Sequence, residues 1–437
     1  MSNLEVGILS FPALLVLIFL RVPIGLAMFI AGYAGYWVVT GSPGMAMARL
    51  KSASYSTFSN YSLSIVPMFL LMGYFATIGG LSQSLFRAAA AFVGHRKGGI
   101  GIAAIASCAG FGAICGSSLA TAATMGRVAL PELKRYGYHG GLSTAALAAG
   151  GTLGILIPPS VVLVIYAILA EQNIATLFLA ALVPGLIAAM GYMAVISVYV
   201  RLYPDRAGVG ERVAWGERFR RLLAVWPVLL VFLAVVGGIY GGIFTPTEGA
   251  AIGALGTGLV ALVNGGLTFR TLLDSFTSTA RSTAMIFFIV FGAAFYNSFL
   301  ALTQVPQSLS DWVVSLGLAP VMVLLVILAL YLLLGCVMDS LSMILLTVPI
   351  FYPMILALDF GMSPDHVAIW FGILVLIVVE TGLITPPVGM NLFIINAMDR
   401  STPMIETYKA VMFFVASDLL RVLLLVAFPA ITLFLIP

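Results

Sequence analysis

The sequence predicts an all-α protein that crosses a membrane many times. Of its 437 residues, 62% are hydrophobic and only 8% are charged, whereas a soluble domain carries about a quarter charged residues. Crossing a hydrocarbon core takes about 20 apolar residues, and apolar runs recur along the chain, for example at 7–20, 222–239 and 321–334. These runs are continuous and do not alternate with polar residues, so the spans are helices and not strands of an outer-membrane barrel.

Charge and motif content exclude several classes of protein. The net charge of +4 is too small to indicate nucleic-acid binding. The arginines lie mostly between apolar runs, where their positions indicate which loops are cytoplasmic. No Gly-x-x-x-x-Gly-Lys-[Ser/Thr] sequence occurs, so we expect no nucleotide cofactor, and the three histidines lack metal-binding spacing. The three cysteines lie in apolar or Gly/Ser-rich surroundings and form no disulfide framework. We therefore expect a protein that is not an enzyme.

The chain aligns with itself at a shift of about 223 to 228 residues. The two longest matches place 112–124 (GAICGSSLATAAT) over 335–347 (GCVMDSLSMILLT), and 154–159 (GILIPP) over 382–387 (GLITPP). Shorter matches precede them in the same order. The sequence therefore predicts two repeats, at 1–200 and 222–437, joined by an arginine-rich cytoplasmic connector at 201–221.

Ten apolar segments are predicted to cross the membrane. No signal cleavage site follows the first, so we expect it to be retained as a helix. Each repeat contains five crossings, and because five is odd the second repeat is expected to be inverted relative to the first. The predicted crossings are 4–20, 23–40, 61–80, 141–170, 175–200, 222–243, 248–264, 283–302, 367–397 and 410–436.

Each repeat also contains a segment predicted to enter and leave the membrane on one side. Hairpin 1, at about 98–133, has basic residues at both ends, which places both ends in the cytoplasm. Hairpin 2, at about 320–357, has no Lys or Arg at its flanks and is expected to enter from the periplasmic side. Amphipathic arms at 81–93 and 305–316 precede the hairpins and are expected to lie along the interface.

Two Pro-Pro pairs predict breaks in crossing helices. Pro158-Pro159 and Pro386-Pro387 each remove two backbone donors, so the helix must unwind before them. Unwinding frees backbone carbonyl oxygens, which suit a hard cation such as sodium; these are the carbonyls of Gly154, Leu156, Ile157, Gly382, Ile384 and Thr385. A single pair is more simply a packed proline kink, but the recurrence of the pair at the same place in each repeat favours a functional interpretation.

The centre of each predicted hairpin is rich in small hydroxyl residues. The first contains Gly116-Ser117-Ser118 with Thr121 and Thr124, and the second contains Asp339-Ser340 with Ser342. Small residues also serve close helix packing in lipid, but their position before each Pro-Pro break favours a role in transport.

Four intramembrane acids and two arginines need separate interpretation, because an ionisable group in a span is costly. Asp339 and Glu380 are candidates to orient ion ligands or to carry a proton. Glu248 follows a Thr-Pro-Thr sequence that suits a helix cap, and Asp418 with Arg421 is spaced to form an ion pair. Arg127, just beyond the centre of hairpin 1, is the candidate cation for an anionic solute.

The sequence resembles the large membrane subunit, DctM-like, of tripartite ATP-independent periplasmic (TRAP) transporters. The resemblance runs along nearly the whole chain and is most specific at 116–121 (GSSLAT), 154–160 (GILIPPS), 245–250 (TPTEGA) and 385–392 (TPPVGMNL). It implies an elevator-type, sodium-coupled secondary transporter in the bacterial inner membrane. It also implies a small DctQ-like membrane subunit as a separate chain, a periplasmic solute-binding protein and a solute that carries a carboxylate.

On this resemblance we expect two sodium ions, one at each hairpin with its broken helix, and a solute between the hairpin tips. The candidate sodium-binding residues are Cys115, Gly116, Ser117, Ser118, Gly154, Ile157, Pro159, Asp339, Ser340, Gly382, Thr385 and Pro387. The candidate solute-binding residues are Ser118, Thr121, Arg127, Pro158, Pro386 and Asn391.

Two other functions remain open from the sequence. A stand-alone sodium/anion symporter of the same inverted-hairpin architecture is the principal alternative, and it differs in needing no binding protein. A channel is a third, and it differs in being unable to move solute against a gradient.

Overall fold

The computed structural model describes residues 2–436, so the outermost residue of each predicted repeat, Met1 or Pro437, lies outside the described residues. Every regular element in the described chain is helical, as predicted. The first part contains α1 (Asn3–Phe19), α2 (Ile24–Thr40), α3 (Pro43–Phe58), a 3-10 turn (Tyr61–Ser64), α4 (Ile65–Ile78), α5 (Leu81–Val93), α6 (Gly99–Cys115), α7 (Ser118–Arg135), α8 (Gly140–Leu156), α9 (Val161–Leu169) and α10 (Ile174–Leu202).

The connector contains a 3-10 turn (Pro204–Arg206) and the short helix α11 (Trp215–Leu223). The second part contains α12 (Trp226–Phe232), a π-helical turn (Leu233–Gly237), α13 (Gly238–Tyr240), α14 (Pro246–Val263), α15 (Phe269–Thr303), α16 (Val305–Ser315), α17 (Pro320–Gly335), α18 (Ser340–Leu356), α19 (Pro364–Gly382), α20 (Met390–Met398), α21 (Met404–Ala427) and α22 (Ala430–Leu433).

The chain is a multi-pass membrane protein. Six helices in the described residues are long and apolar enough to cross a bilayer: Tyr61–Ile78, Ile174–Leu202, Pro246–Val263, Phe269–Thr303, Pro364–Gly382 and Met404–Ala427. Two bent helix pairs raise this number to eight, namely Gly140–Leu156 with Val161–Leu169, bent by 46°, and Trp215–Leu223 with Trp226–Tyr240, bent by 41°. The two remaining predicted crossings correspond to α1 and α2, which are apolar helices of 17 residues each.

The two parts of the chain have the same order of elements. Each has a crossing helix (α4 or α15), an arm (α5 or α16), a helical hairpin (α6 and α7, or α17 and α18), a broken helix (α8 and α9, or α19 and α20) and a long helix (α10 or α21). The hairpin helices coincide with the ranges predicted as hairpins 1 and 2, and the names are kept for them. The opposite orientation of the two repeats in a membrane stays a prediction.

Polar caps and glycine stop and restart the helices at each hairpin tip. Gly116 ends α6 with a φ of 65°, a left-handed conformation that suits glycine. Ser117 then caps α7, its Oγ accepting from the N–H of Ala120 at 3.5 Å. Asp339 caps α18 in the same way, its Oδ2 accepting from the N–H of Ser342 at 3.1 Å. Each tip is therefore a short gap between two helices, and its second helix begins at a serine, Ser118 or Ser340.

The helices form two packed groups. The frame helices are α1–α4 and α12–α15, in which α2 lies along α15 and α4 packs against α14 and α15. The site helices are α6–α10 and α17–α21, in which α8 packs on α6, α7 and α21, and α19 packs on α17, α18 and α21. The groups meet where α4 contacts α6 and where α15 contacts α18. Both hairpins therefore lie at the boundary between the groups.

Candidate functional site

The tips of the two hairpins meet around a small cavity of about 80 Å³. Its polar lining comes from Ser117 and Ser118 of hairpin 1 and from Asp339 and Ser340 of hairpin 2, while Leu70 of α4 and Ile286 of α15 close the side facing the frame helices. The cavity thus combines the residues that the sequence predicted at both tips, which lie more than 200 positions apart in the chain.

Two helix N-termini and one carboxylate set the charge at the cavity wall. Helices α7 and α18 both begin at its wall, and the N-terminus of a helix carries a positive partial charge and free N–H groups that suit an anion. Asp339 adds a carboxylate on the hairpin 2 side, which suits a cation. No lysine or arginine is among the residues that line the cavity in the described chain.

Glu380 links the two hairpin tips. Its side chain is fully buried in α19, and its Oε1 accepts a hydrogen bond from the Ser340 hydroxyl at 2.7 Å. Its Oε2 accepts from the hydroxyl of Ser118. One carboxylate therefore touches the first residue of the second helix in both hairpins.

Hairpin 1 and the first broken helix bring oxygen atoms close together. A Cβ on Gly154 would lie 2.8 Å from the carbonyl oxygen of Ser117 and would collide with the Thr121 hydroxyl, so both oxygens face the Gly154 backbone. The Thr121 Oγ1 is buried and has no hydrogen-bond partner among the described residues. A Cβ on Gly116 would lie 2.9 Å from the carbonyl oxygen of Pro159. Gly116, Ser117, Thr121, Gly154 and Pro159 are therefore neighbours in space.

The tip and the unwound stretch are joined by backbone hydrogen bonds in both parts of the chain. The carbonyl of Gly116 accepts from the N–H of Val161 at 3.4 Å, and the carbonyl of Cys336 accepts from the N–H of Gly389 at 3.3 Å. Each bond ties a hairpin tip to the residues that follow a Pro-Pro pair. Both Pro-Pro bonds are cis.

The second broken helix is more open than the first. Residues 151–160 are all buried, whereas Pro387 is exposed and its carbonyl accepts from the Tyr408 hydroxyl at 2.6 Å. The Thr385 hydroxyl donates to the carbonyl of Thr381 at 2.7 Å, which leaves its oxygen lone pairs available as a ligand. Gly382 packs directly on Gly335 of hairpin 2.

Several predicted site residues lie outside the cavity lining. Cys115, Ile157, Pro158 and Pro386 lie at the tip or the breaks behind it. Asn391 is buried at the start of α20, with its Nδ2 donating to the Ala148 carbonyl at 3.3 Å, and its Oδ1 has no hydrogen-bond partner within residues 2–436.

Arg127 lies on the exposed face of α7 and lines a different space. This crevice of about 830 Å³ is bounded by α5, α7 and α11, and four further arginines line it: Arg87, Arg135, Arg220 and Arg221. Among the described residues, Arg127 and Arg87 have no carboxylate within 4.0 Å. Arg127 therefore faces the connector and not the space between the tips.

No group of three or more His, Cys, Asp or Glu side chains that could hold a metal occurs in residues 2–436. A cation at the tips would therefore depend on carbonyl and hydroxyl oxygens, which are the ligands that a hard monovalent cation accepts.

The family model for the DctM component of tripartite ATP-independent periplasmic transporters matches residues 11–431. The chain belongs to this family. It is therefore a large permease subunit of a TRAP transporter, and not an enzyme. The family resemblance inferred from the sequence motifs is confirmed.

Named relatives of this DctM-family chain differ in the solute they are named for. A C4-dicarboxylate TRAP transporter large permease protein of Pseudomonas aeruginosa is 38% identical over 382 residues, which are 87% of each chain. An ectoine TRAP transporter large permease protein of Halomonas elongata is 33% identical, with 96% of each chain covered. The solved structure of the YdaH transporter of Alcanivorax borkumensis is 15% identical with a TM-score of 0.66 over 90% of each chain, and it shares the fold.

The DctM-family chain also contains a buried network that the sequence did not reveal in full. The predicted pair forms, with Arg421 Nη2 2.8 Å from Asp418 Oδ1. The Tyr192 hydroxyl donates to Asp418 Oδ2 at 2.7 Å, and the Thr152 hydroxyl lies 3.0 Å from the Tyr192 hydroxyl. The network joins α8, α10 and α21. Helical spacing reveals the Asp418 and Arg421 pair, but no local signal identifies Tyr192 as its partner.

Proposed function

We propose that this large permease subunit imports a small carboxylate-bearing solute across the bacterial inner membrane, driven by two sodium ions. The observation that carries the proposal is the pairing of each hairpin tip with the unwound stretch of a broken helix. A pair of this kind places backbone carbonyls and helix ends inside a membrane protein, where they can replace the water around an ion and a solute.

The first sodium ion would bind between hairpin 1 and the first broken helix. The Thr121 hydroxyl, which has no hydrogen-bond partner in the part of the chain that the structure describes, and the Ser117 carbonyl supply oxygens beside Gly154. The Pro159 carbonyl lies next to Gly116. A buried hydroxyl without a partner is costly unless a ligand satisfies it. In the second part of the chain, the hydroxyl of Thr385 and the carboxylate of Asp339 are the side-chain candidates.

The solute would bind in the cavity between the tips. The N-termini of α7 and α18 offer backbone N–H donors to a carboxylate. Ser118 and Ser340 line the cavity, but their hydroxyl protons are donated to Glu380. Because no lysine or arginine lines the cavity in the described chain, the bound sodium ions would supply its positive charge. The relatives named for C4-dicarboxylates support a carboxylate as the solute group.

An elevator movement would carry this cavity across the membrane. The cavity of about 80 Å³ is well below the roughly 300 Å³ at which small-molecule sites begin, so solute entry requires its walls to move. Its walls belong to the site helices on one side and to the apolar Leu70 and Ile286 of the frame helices on the other. A movement of the site helices past these two apolar side chains would open the cavity.

Two partners complete the proposed transporter. The family is named for a tripartite system, so this chain is one component of several. We infer a small DctQ-like membrane subunit and a periplasmic solute-binding protein as the other two. A relative from Oleidesulfovibrio alaskensis is named as a DctMQ permease, and this chain covers 64% of its length, which is consistent with fusion of the two membrane components there.

Solute uptake into proteoliposomes tests the proposal. The chain and its small subunit are reconstituted with an inward sodium gradient, with and without the periplasmic binding protein. We expect uptake only when sodium and the binding protein are both present, and accumulation above the external concentration. Uptake without the binding protein would instead support a stand-alone symporter, and flux that only dissipates a gradient would support a channel.

A further inference from the structure

We propose that Glu380 is a cross-brace that couples the two hairpins, so that release of one tip loosens the other. The inference rests on the proposed function only in taking the hairpins as the parts that open. Glu380 is then a positioning residue: it holds the tips that bind solute, and it does not line the cavity itself.

The geometry of the brace is the first support. Ser118 and Ser340 lie on different hairpins, 222 positions apart, yet both donate to the Glu380 carboxylate, one to each oxygen. Both serines are the first residue of a helix at the cavity wall. Any movement of either tip away from α19 must break one of these two hydrogen bonds.

The cost of leaving the carboxylate unsatisfied is the second support. Glu380 is fully buried, and no cation lies within 4.0 Å of it in the described chain. The buried Arg421 pairs with Asp418 and not with Glu380 in the described chain. Two serine hydroxyls are therefore the side-chain donors that solvate this carboxylate, and a buried acceptor pays the full desolvation cost when a donor leaves.

Coupling follows from that shared cost. If Ser118 withdraws, the freed Oε2 must take a water molecule, and water at this place also competes for the bond between Oε1 and Ser340. Breaking the first bond therefore lowers the cost of breaking the second, which is an energetic coupling between the two parts of the chain. A serine hydrogen bond that stabilised only its own hairpin would have no such effect on the other hairpin.

Hydrogen-exchange mass spectrometry on the full chain in lipid nanodiscs tests the brace. The measured peptides cover the tip of hairpin 1 at 112–121 and the tip of hairpin 2 at 336–344. We expect Ser118→Ala to speed exchange at the tip of hairpin 2, and Ser340→Ala to speed it at the tip of hairpin 1, by roughly tenfold each. Exchange that rises only in the hairpin carrying the substitution would overturn the proposal.

The matched control is Ser107→Ala. Ser107 is a buried serine of hairpin 1 whose hydroxyl donates only to the carbonyls of Ala103 and Ala104 in its own helix, at 2.7 and 3.0 Å. Its removal should leave exchange at the tip of hairpin 2 unchanged. An equal effect of S107A and S118A on hairpin 2 would show general loosening and would contradict the brace.

Substitutions of Glu380 provide a second test of the brace. Glu380→Leu removes both acceptors and should speed exchange at both tips, whereas Glu380→Gln keeps an acceptor and a donor and should restore most of the protection. Sodium activation of uptake is measured in parallel, and its Hill coefficient should fall toward 1 in E380L and recover in E380Q. Absence of sodium activation in the wild-type protein would refute the proposed sodium coupling, while the exchange results alone would still decide the brace.

Discussion

Gly112 of hairpin 1 packs backbone to backbone against Gly154 of the first broken helix: a Cβ on Gly112 would lie 2.7 Å from the Gly154 Cα. The second part of the chain has the same contact, since a Cβ on Gly382 would lie 2.6 Å from the carbonyl carbon of Gly335. The absence of a side chain lets each hairpin backbone rest on its broken helix. These contacts set how closely the tip approaches the unwound stretch.

We expect Gly112→Ala and Gly382→Ala to destabilise the protein. A methyl group at either place collides with backbone atoms, which cannot turn aside as a flexible side chain can, and overpacking of this kind costs about 1–3 kcal/mol. The measurement is the thermal unfolding midpoint of the purified protein, together with sodium-driven uptake.

Gly237→Ala is the matched control, because Gly237 also lies in a helix of an apolar segment, but a Cβ there would have no described atom within 4 Å apart from its chain neighbours and its own helix backbone. It should unfold like the wild-type protein. If G112A and G382A are as stable as G237A, the close glycine contacts do not position the hairpins.

The sequence predicted the order of elements well, because the signals for it are local. Apolar runs predicted the long helices, Pro-Pro pairs predicted the breaks between helices, and small hydroxyl residues predicted the short gaps between the hairpin helices. The ungapped alignment nevertheless placed Ser117 over Ser340. In the structure the helices after the tips begin at Ser118 and Ser340, and these two serines make the equivalent bond to Glu380.

What the sequence could not predict depends on contacts between distant segments. Glu380 was a candidate because a buried acid in a span is costly, but its two serine partners lie 262 and 40 positions away. Arg127 was chosen for its charge and its place near the centre of hairpin 1. The connector helix α11 packs beside α5, so that Arg127 faces the crevice there, and sequence spacing gives no indication of this packing.

Thr121→Val should weaken sodium activation of uptake. The substitution keeps the shape of the side chain but removes the buried hydroxyl that has no hydrogen-bond partner in the described chain. Loss of one oxygen ligand at roughly 1–2 kcal/mol predicts that the sodium concentration for half-maximal uptake rises about five- to thirtyfold. Thr121→Ser keeps the hydroxyl and should behave nearly as the wild type.

The same comparison applies to the second proposed ion. Thr385→Val should raise the sodium requirement, while Thr385→Ser should not, because serine retains the oxygen. Unchanged sodium activation in both T121V and T385V would remove these side chains from the proposed ion sites. Reduced uptake with an unchanged sodium requirement would assign them a packing role instead.

The buried Asp418 and Arg421 pair should be needed for stability. Asp418→Asn leaves the Arg421 charge uncompensated in the interior, a change that typically costs about 3–5 kcal/mol. Tyr192→Phe removes one donor to Asp418 but leaves the pair, so its cost should be about 1 kcal/mol. Thermal unfolding of the two variants measures the difference, and equal midpoints for D418N and Y192F would contradict this ranking.

Asp399 ties the outer end of hairpin 1 to the loop after α20, and this link should depend on pH only in acid. Its carboxylate accepts from Lys134 at 2.6 Å, and also from the hydroxyls of Ser401 and Thr402. Burial acts to raise the pKa of Asp399, but these hydrogen bonds and the Lys134 charge outweigh it and lower the pKa from 3.8 to about 2. A carboxyl group whose pKa is lowered by folding stabilises the protein above its unfolded pKa, and this contribution is lost as pH falls from about 4 through about 2.

We therefore expect Asp399→Asn to lower the unfolding midpoint by the same amount at every pH between 5 and 8, with the difference from wild type shrinking below pH 4. Lys134 is 44% exposed, so solvent screening limits the effect to about 1–2 kcal/mol. Glu132→Gln is the control, because Glu132 makes only a long 3.8 Å contact with the exposed Arg135 and its loss should change little. A difference between D399N and wild type that varied between pH 5 and 8 would mean that another group titrates with this link, since Asp399 stays ionised throughout that range.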